Sequence, residues 1–158
     1  MNVFIVYAHP SADSFTRRAR DSFIQGLEAA GHSFILSDLY AMDFRADINE
    51  AEYLREANYR DDNSLADDVR AEQEKINRSD AIVFIYPVFW TEAPAKLVGW
   101  FDRVWTYGFA YGARRMKRLE KGLVICTAGH TLEHLREYGH LHGMETVMCW
   151  ATGCLTGS

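Results

Sequence analysis

The chain has 158 residues, of which 48% are hydrophobic and 25% are charged, and its formal net charge is −5. This length suffices for one domain with a buried core, and the acidic balance argues against nucleic acid as a partner. No apolar run reaches the roughly 18 residues that a membrane span needs. The three cysteines show no metal-type spacing. Together with a start that lacks the basic residues of a signal peptide, they predict a reducing, cytoplasmic setting.

The first part of the chain predicts a strand, a helix and a second strand. Residues 3–8 form a short apolar run, which is typical of a strand buried on both faces. Between about 15 and 30, apolar residues recur every four positions, and Gly31 follows as a natural helix end. Residues 33–39 predict the second strand. The charged and aromatic segment 38–60 predicts a long, irregular functional loop.

The middle of the chain repeats the alternation of helix and strand. A helix with an apolar stripe is predicted to start at a cap formed by Asn63 or Ser64. The strongly apolar residues 81–86 predict a third strand, and 94–105 predict an amphipathic helix. Residues 119–127 predict a fourth strand. This order favours a doubly wound parallel sheet with right-handed crossovers.

The remainder of the chain is less regular in pattern. Residues 130–138 predict a helix, and residues 145–155 leave helix and strand open. There is no internal repeat and no linker, so we expect residues 1–158 to form a single α/β domain. In a sheet of order 2-1-3-4, the loops after strands one, three and four meet at one edge, where such sheets bind their ligands.

The loop after the first strand carries hydroxyls and leads into a helix. Ser14 and Thr16 lie at the helix start, where backbone amides and the helix dipole favour phosphate. Neither a dinucleotide-binding glycine fingerprint nor an NTPase phosphate loop is present. The alternative is that Ser14 or Asp13 only caps the helix, which is the commoner use of such residues. Asp13 would repel a phosphate unless its side chain points away.

Histidines and cysteines offer weaker candidates for chemistry. His130 and His134 are four residues apart, and His140 and His142 follow, but no carboxylate is placed to complete a metal site. We therefore predict no metal. Cys126 lies in the fourth strand, where a buried cysteine is usually an inert small hydrophobe.

Several segments together carry a family likeness. The chain resembles the flavodoxin-like NAD(P)H:quinone oxidoreductases over residues 2–148, whereas residues 149–158 form an atypical tail. The resemblance implies a flavodoxin-like sheet that ends after strand four, without the last strand and helix of the family. The segments that carry it are Tyr7–Pro10, Ser14–Thr16, Ser37–Phe44, Tyr86–Trp90, Pro94–Arg103, Gly108–Gly112 and Thr127–Gly129.

The resemblance implies a bound FMN or FAD, with NAD(P)H as the reductant and a small quinone or nitroaromatic compound as the acceptor. It also implies a homodimer with the active site at the interface, where Tyr111 reaches across. It places His142, and with a gap Tyr138, as the catalytic pair. The implied cofactor-binding residues are His9, Ser14, Phe15 and Thr16 on the phosphate side, Pro87, Val88, Phe89 and Trp90 against the flavin ring, and Thr127, Ala128 and Gly129 at the ring edge.

Three alternatives to a quinone reductase stay open at this point. One is a regulatory, flavin-binding ancillary subunit of a potassium-efflux system, with a membrane transporter as partner. A second is a one-electron carrier, although the chain lacks the short phosphate loop typical of flavodoxins. A third is an inactive product of truncation or frameshift near codon 148, in which the first helix and the fourth strand are partly uncovered.

Overall fold

A computed structural model of the chain describes residues 1–62, 64–113 and 115–156, with side chains as far as residue 148. Strands and helices alternate through this part of the chain, and two further helices follow the last strand. The elements are β1 (Asn2–Tyr7), α1 (Phe15–Ala29), β2 (Ser33–Asp38), α2 (Glu50–Ala57), α3 (Asp67–Asn77), β3 (Ala81–Pro87), α4 (Ala95–Val104), β4 (Lys121–Thr127), α5 (Leu132–Glu137) and α6 (His140–Thr156).

The four strands form one parallel sheet in the order β2-β1-β3-β4, which confirms the predicted fold and topology. β1 and β3 are central and almost wholly buried, as their unbroken apolar sequences predict. The strand order reverses between β1 and β3. Loops that leave these two strands therefore diverge and open a crevice at the carboxyl edge of the sheet.

Side chains that alternate along the central strands build a core on each face of the sheet. On one face Val3, Ile5 and Tyr7 pack with the partly buried residues Phe23 and Leu27 of α1. On the other face the strands pack against α3 and α4 in a larger cluster centred on aromatic rings. The rings of this cluster include Phe4, Phe84, Trp100 and Phe101, and Trp100 is fully buried.

A buried carboxylate connects α3 to this aromatic core. Glu72, which interrupts the apolar stripe of its helix, is fully buried. Its Oε2 accepts a hydrogen bond of 2.8 Å from Nε1 of Trp100. Its Oε1 accepts hydrogen bonds from Ser37 at 3.0 Å and Lys75 at 2.5 Å. Both oxygens are therefore satisfied, which is the condition for keeping a carboxylate in a core.

The prediction of an irregular loop over 38–60 is wrong in part, because the segment contains α2. Asn49 caps this helix by accepting a 2.9 Å bond from the Glu52 amide, while the Glu52 carboxylate accepts one of 2.9 Å from the Asn49 amide. Such a capping box favours a helix start. Hydrophobic periodicity missed the helix because its buried residue is the charged Arg55 rather than an apolar one.

Arg103 of α4 joins α2 and α3 to the body of the domain. Its guanidinium is fully buried and donates to Glu52 at 2.8 Å and to Asp68 at 2.6 and 3.0 Å. It also donates to the carbonyl of Arg45 at 2.8 Å. Burial acts to raise the pKa of Glu52, but hydrogen bonds from Arg45 and Arg103 outweigh it and lower the pKa. The bond from Arg103 likewise lowers the pKa of Asp68.

Two further predictions need correction or fall outside the described residues. α3 begins at Asp67 after Ala66, so Ser64 does not cap it, and the alternative cap Asn63 lies outside the described residues. Cys126 is exposed rather than buried, because β4 is the outermost strand of the sheet formed by the described residues. Within those residues, no helix is long and apolar enough to cross a membrane.

Candidate functional site

The loops after β1, β3 and β4 meet at the carboxyl edge of the sheet, as predicted. Thr16, in the first turn of α1, is buried, and its Oγ1 lies 2.8 Å from Oγ1 of Thr127 at the end of β4. The carbonyl of Thr127 accepts a hydrogen bond of 2.8 Å from the amide of Val88, which follows β3. Thr127 therefore connects all three loops. Ala128 and Gly129 continue from it and are exposed to solvent.

The loop after β1 is folded back on itself by its own side chains. Nδ1 of His9 lies 2.9 Å from the amide nitrogen of Ser11 and 3.1 Å from its carbonyl oxygen. These contacts within the loop do not involve Nε2, the other ring nitrogen of His9. Ser14 caps α1 by accepting a hydrogen bond of 3.0 Å from the amide of Arg17. The capping interpretation of Ser14 is thus confirmed. Phe15 begins the helix and is 73% exposed, with its ring outside the core.

The sequence raised one objection to a phosphate site, the carboxylate of Asp13. In the structure this side chain is 96% exposed and faces Arg18, at 3.7 Å. It therefore points into solvent and contributes little repulsion at the helix start. The amides of Arg17 and Arg18 already donate to Ser14, so the donors left at the start of α1 are the amides of Phe15 and Thr16, which have no intrahelical acceptor.

A cavity of about 390 Å³ adjoins this loop, between α1 and the end of β2. Tyr7 lies at its base, with its hydroxyl buried and without a hydrogen-bond partner of good geometry. Burial raises the pKa of Tyr7, and the nearby Ser14 and Arg20 act in the opposite direction. The Arg20 guanidinium stacks 4.5 Å from the centre of the Tyr7 ring. The cavity is lined by Tyr7, His9, Pro10, Ser11, Ala12, Arg17, Arg20, Asp38, Tyr40 and Ala41.

Residues 88–92, here called the aromatic turn, follow β3. Phe89 and Glu92 exchange two backbone hydrogen bonds of 2.8 and 2.9 Å, which close the turn. Trp90 and Thr91 at its tip have left-handed backbone angles, with φ of 52° and 68°. The Trp90 side chain is fully exposed and that of Phe89 is 45% exposed. Of the four residues predicted to bind the flavin ring, Phe89 and Trp90 are thus exposed, whereas Pro87 is buried in β3 and Val88 packs partly against the core.

The first turn of α6 contacts the aromatic turn. Nδ1 of His140 lies 3.1 Å from Oγ1 of Thr91, within hydrogen-bond distance. The predicted catalytic residues Tyr138 and His142 flank this contact along the chain and are both exposed. The Tyr138 ring lies 4.5 Å from His134 and 6.5 Å from His140. The sequence did not single out His140, since helical phase decides which of two nearby histidines faces the turn.

Within one chain, Tyr111 lies beside α2 and not in the loops after β1, β3 and β4. Its hydroxyl donates a hydrogen bond of 2.7 Å to Glu56 of α2, and its ring packs edge-on against Tyr107. Burial and the Glu56 carboxylate raise the pKa of Tyr111 to about 12. The amide of Tyr107, in the same loop, also donates a hydrogen bond of 2.8 Å to the Glu56 carboxylate. Glu56 therefore organises the Tyr111 loop, a role that the sequence did not reveal.

The residues at the carboxyl edge fit a flavin nucleotide. The start of α1, Arg17 and the buried Tyr7 hydroxyl supply donors for a phosphate and its ribityl chain. The exposed rings of the aromatic turn offer flat apolar surface. The described residues contain no group of three or more histidine, cysteine or acidic side chains that could hold a metal ion. Together the parallel sheet, its 2-1-3-4 order and this crevice define the class of flavodoxin-like α/β proteins.

Comparison with known proteins agrees with this class. The family model described as flavodoxin-like fold matches residues 1–156, and the chain belongs to that family. The structure of an NAD(P)H:quinone oxidoreductase from Methanothermobacter marburgensis superposes with a TM-score of 0.90 and 49% identity, over 94% of this chain and 74% of that one. General stress protein 14 from Treponema denticola, solved in complex with FMN, shares the fold, with a TM-score of 0.71, 23% identity and coverage of 99% and 81%.

A curated relative extends the comparison to sequence. NAD(P)H dehydrogenase [quinone] 1 of Cavia porcellus is 31% identical over 165 residues, which cover 92% of this chain. The same match covers 59% of the relative, so the chain spans less than two thirds of its length.

Proposed function

We propose that the protein is a flavin-dependent NAD(P)H oxidoreductase that reduces quinones or similar two-electron acceptors. The observation that carries the proposal is the junction at Thr127, which brings the loops after β1, β3 and β4 to one place. Each loop brings a different kind of group to this junction: donors at the helix start, exposed rings, and a backbone edge. The names of the relatives that share this fold support the same reaction class.

In this proposal the residues bind and orient the cofactor rather than react themselves. The start of α1, with His9 and Arg17, holds the phosphate by its dipole and by charge. Phe89 and Trp90 cover the flavin ring, and the backbone after Thr127 binds its edge. When bound, FMN or FAD supplies the chemistry by accepting hydride from NAD(P)H and passing it to the acceptor.

The two predicted catalytic residues take the role of proton handling in this proposal. Tyr138 and His142 are exposed and flank His140, the residue of α6 that contacts the aromatic turn. Each carries a group that can donate a proton to a quinone oxygen as it is reduced. The fully exposed Trp90 ring leaves room for small planar acceptors, including nitroaromatic compounds, which in this proposal stack where the nicotinamide stacked before.

We further propose that the protein is a cytoplasmic homodimer. The exposed thiol of Cys126 is compatible with a reducing compartment. α2 exposes Tyr53 and Leu54, and Tyr59 follows it with 67% of its side chain exposed. The Tyr59 ring packs edge-on against Tyr107, which in turn packs against Tyr111, so a partner bound at Tyr59 would bring Tyr111 close to an interface. Sedimentation analysis tests this directly, and a monomer at all concentrations would contradict it.

Flavin retention tests the function itself. The purified chain is mixed with FMN or FAD and desalted, and its visible spectrum is recorded before and after anaerobic addition of NADH or NADPH. We expect a retained flavin band that bleaches with the reductant and returns when the quinone menadione is added. A protein that leaves the column colourless with both flavins would refute the proposal.

A matched pair of threonine variants shows whether the flavin occupies the predicted edge. Thr16→Val removes the hydroxyl that meets Thr127 and is expected to weaken flavin binding about tenfold. Thr146→Val is the control, since its hydroxyl donates to the carbonyl of His142 within α6 and serves no predicted flavin contact. Equal affinities for the two variants would place the flavin elsewhere.

A further inference from the structure

The aromatic turn holds two consecutive residues in a backbone conformation that is unfavourable for them. Trp90 and Thr91 both have positive φ, although neither is glycine and threonine is β-branched. Such conformations cost on the order of 1 kcal/mol or more per residue and persist where surrounding contacts enforce them. The two backbone hydrogen bonds of the Phe89–Glu92 pair close a two-residue hairpin turn, a type in which both central residues take positive φ. The turn thus sets its own backbone angles, but its position relative to the rest of the site depends on a contact between its tip and another element.

The first turn of α6 supplies that contact. Nδ1 of His140 lies 3.1 Å from the Thr91 hydroxyl. One helical turn later, Gly143 faces the Thr91 methyl group so closely that an added Cβ would lie 3.6 Å from it. The hydroxyl and the methyl group of Thr91 therefore both face the first turn of α6. Trp90, immediately before it, is left fully exposed at the tip.

We propose that His140 is a positioning residue, which holds Thr91 and thereby fixes the aromatic turn with Trp90 presented to a planar ligand. This inference rests on the proposed function, because the ligand it invokes is the flavin ring. It assigns a distinct task to each of two nearby histidines. His142 stays a candidate for proton handling, whereas His140 acts through Thr91 on the shape of the ring-binding surface.

The geometry favours His140 over its neighbours for this task. Within the described part of the chain the His142 ring makes no hydrogen bond, whereas its carbonyl accepts one from the Thr146 hydroxyl. His134 is one turn or more away, stacked between His130 at 4.4 Å and Tyr138 at 4.5 Å. Releasing the Thr91 contact would let the aromatic turn move as a unit relative to α6. Trp90 would then sample several positions, and a flavin ring would have to order it on binding, at a cost in affinity.

A double-mutant cycle tests the contact, with Thr91→Val and His140→Leu as the single variants. Thr91→Val keeps the methyl contact with Gly143 and removes only the hydroxyl. Each variant is expected to weaken FMN binding about five- to tenfold, and the double variant to be no weaker than either. His140→Asn, which keeps a polar group near the Nδ1 position, is expected to restore most of the affinity. Multiplicative losses would overturn the proposal.

A second measurement separates this inference from the proposed function. In flavin-free protein labelled with ¹⁵N-tryptophan, the indole resonance of Trp90, assigned with Trp90→Phe, should shift or broaden in Thr91→Val and His140→Leu. The buried Trp100 should report no change, and neither should Trp90 in the Thr146→Val control. An unchanged Trp90 resonance overturns the role of His140 even if FMN binds. Absence of FMN binding to the wild type, with a shifted Trp90, overturns the proposed function and leaves the positioning of the turn supported.

Discussion

Replacing Arg103 by methionine removes the charge that joins α2 and α3 to α4. The variant keeps much of the side-chain volume, but Asp68 loses its guanidinium partner and Glu52 keeps only Arg45 of its two. Loss of one member of a buried ionic cluster costs roughly 3–5 kcal/mol. Glu52 is 18% exposed and Asp68 38%, so both can recover some hydration, and we expect a loss near the lower limit, about 3 kcal/mol at pH 7.

The pH dependence of this loss distinguishes the ionic cluster from simple packing. The pKa values of Glu52 and Asp68 are lower in the folded protein than the values of 4.5 and 3.8 that these groups have in the unfolded chain. Their contribution to the free energy of unfolding is therefore present above the unfolded pKa values and is lost as the pH falls through the folded pKa values. The difference between wild type and variant should therefore be smaller at pH 4 than at pH 7.

Urea unfolding followed by tryptophan fluorescence at both pH values measures the effect of Arg103→Met. Arg115→Met is the matched control, because Arg115 forms an exposed pair with Asp61 whose removal should change stability by less than about 1 kcal/mol. The reasoning fails if Arg103→Met costs no more than Arg115→Met. It also fails if the loss is the same at pH 4 as at pH 7, which would indicate packing alone.

Three other substitutions have outcomes that follow from the structure. Gly99→Ala places a Cβ 2.2 Å from the Ala46 carbonyl oxygen and should destabilise the fold by more than about 2 kcal/mol, whereas Gly26→Ala meets no atom within 4 Å and should stabilise it by roughly 0.5–1 kcal/mol in thermal unfolding. The reverse order of melting temperatures would contradict the helix packing. Glu56→Gln should lower the pKa of Tyr111 from about 12, as followed by NMR of labelled tyrosine, and an unchanged titration would assign the shift to burial alone.

The fold could be predicted because its two central strands have continuous apolar sequences. Residues 3–8 and 81–86 are apolar throughout, and only burial on both faces explains such runs. α2 was missed for the opposite reason, since the helix is stabilised by its capping box and by Arg55 and Arg103 rather than by an apolar stripe. A search for Asn followed three residues later by Glu would have found its start at Asn49.

The candidate site could likewise be predicted only in part. Loops that follow apolar strands can be placed at one sheet edge from topology alone, and the Thr16–Thr127 contact confirms that placement. Which histidine faces the aromatic turn depends on the angle at which α6 begins, and single-sequence patterns do not determine it. The burial of Glu72 and Arg103 was likewise invisible, because polar residues enter a core only when distant segments supply their partners.

The outer strand β4 has a consequence for how the protein must be handled. Leu123 and Cys126 are exposed along it, and no other strand within the described ranges pairs with its outer side. Unpaired strand edges template self-association. The same strand ends at Thr127, so a second chain that pairs with the outer edge of β4 would lie close to the loops of the candidate site. Titrations at a single protein concentration would then mix two equilibria, and dilution series under reducing conditions would separate them.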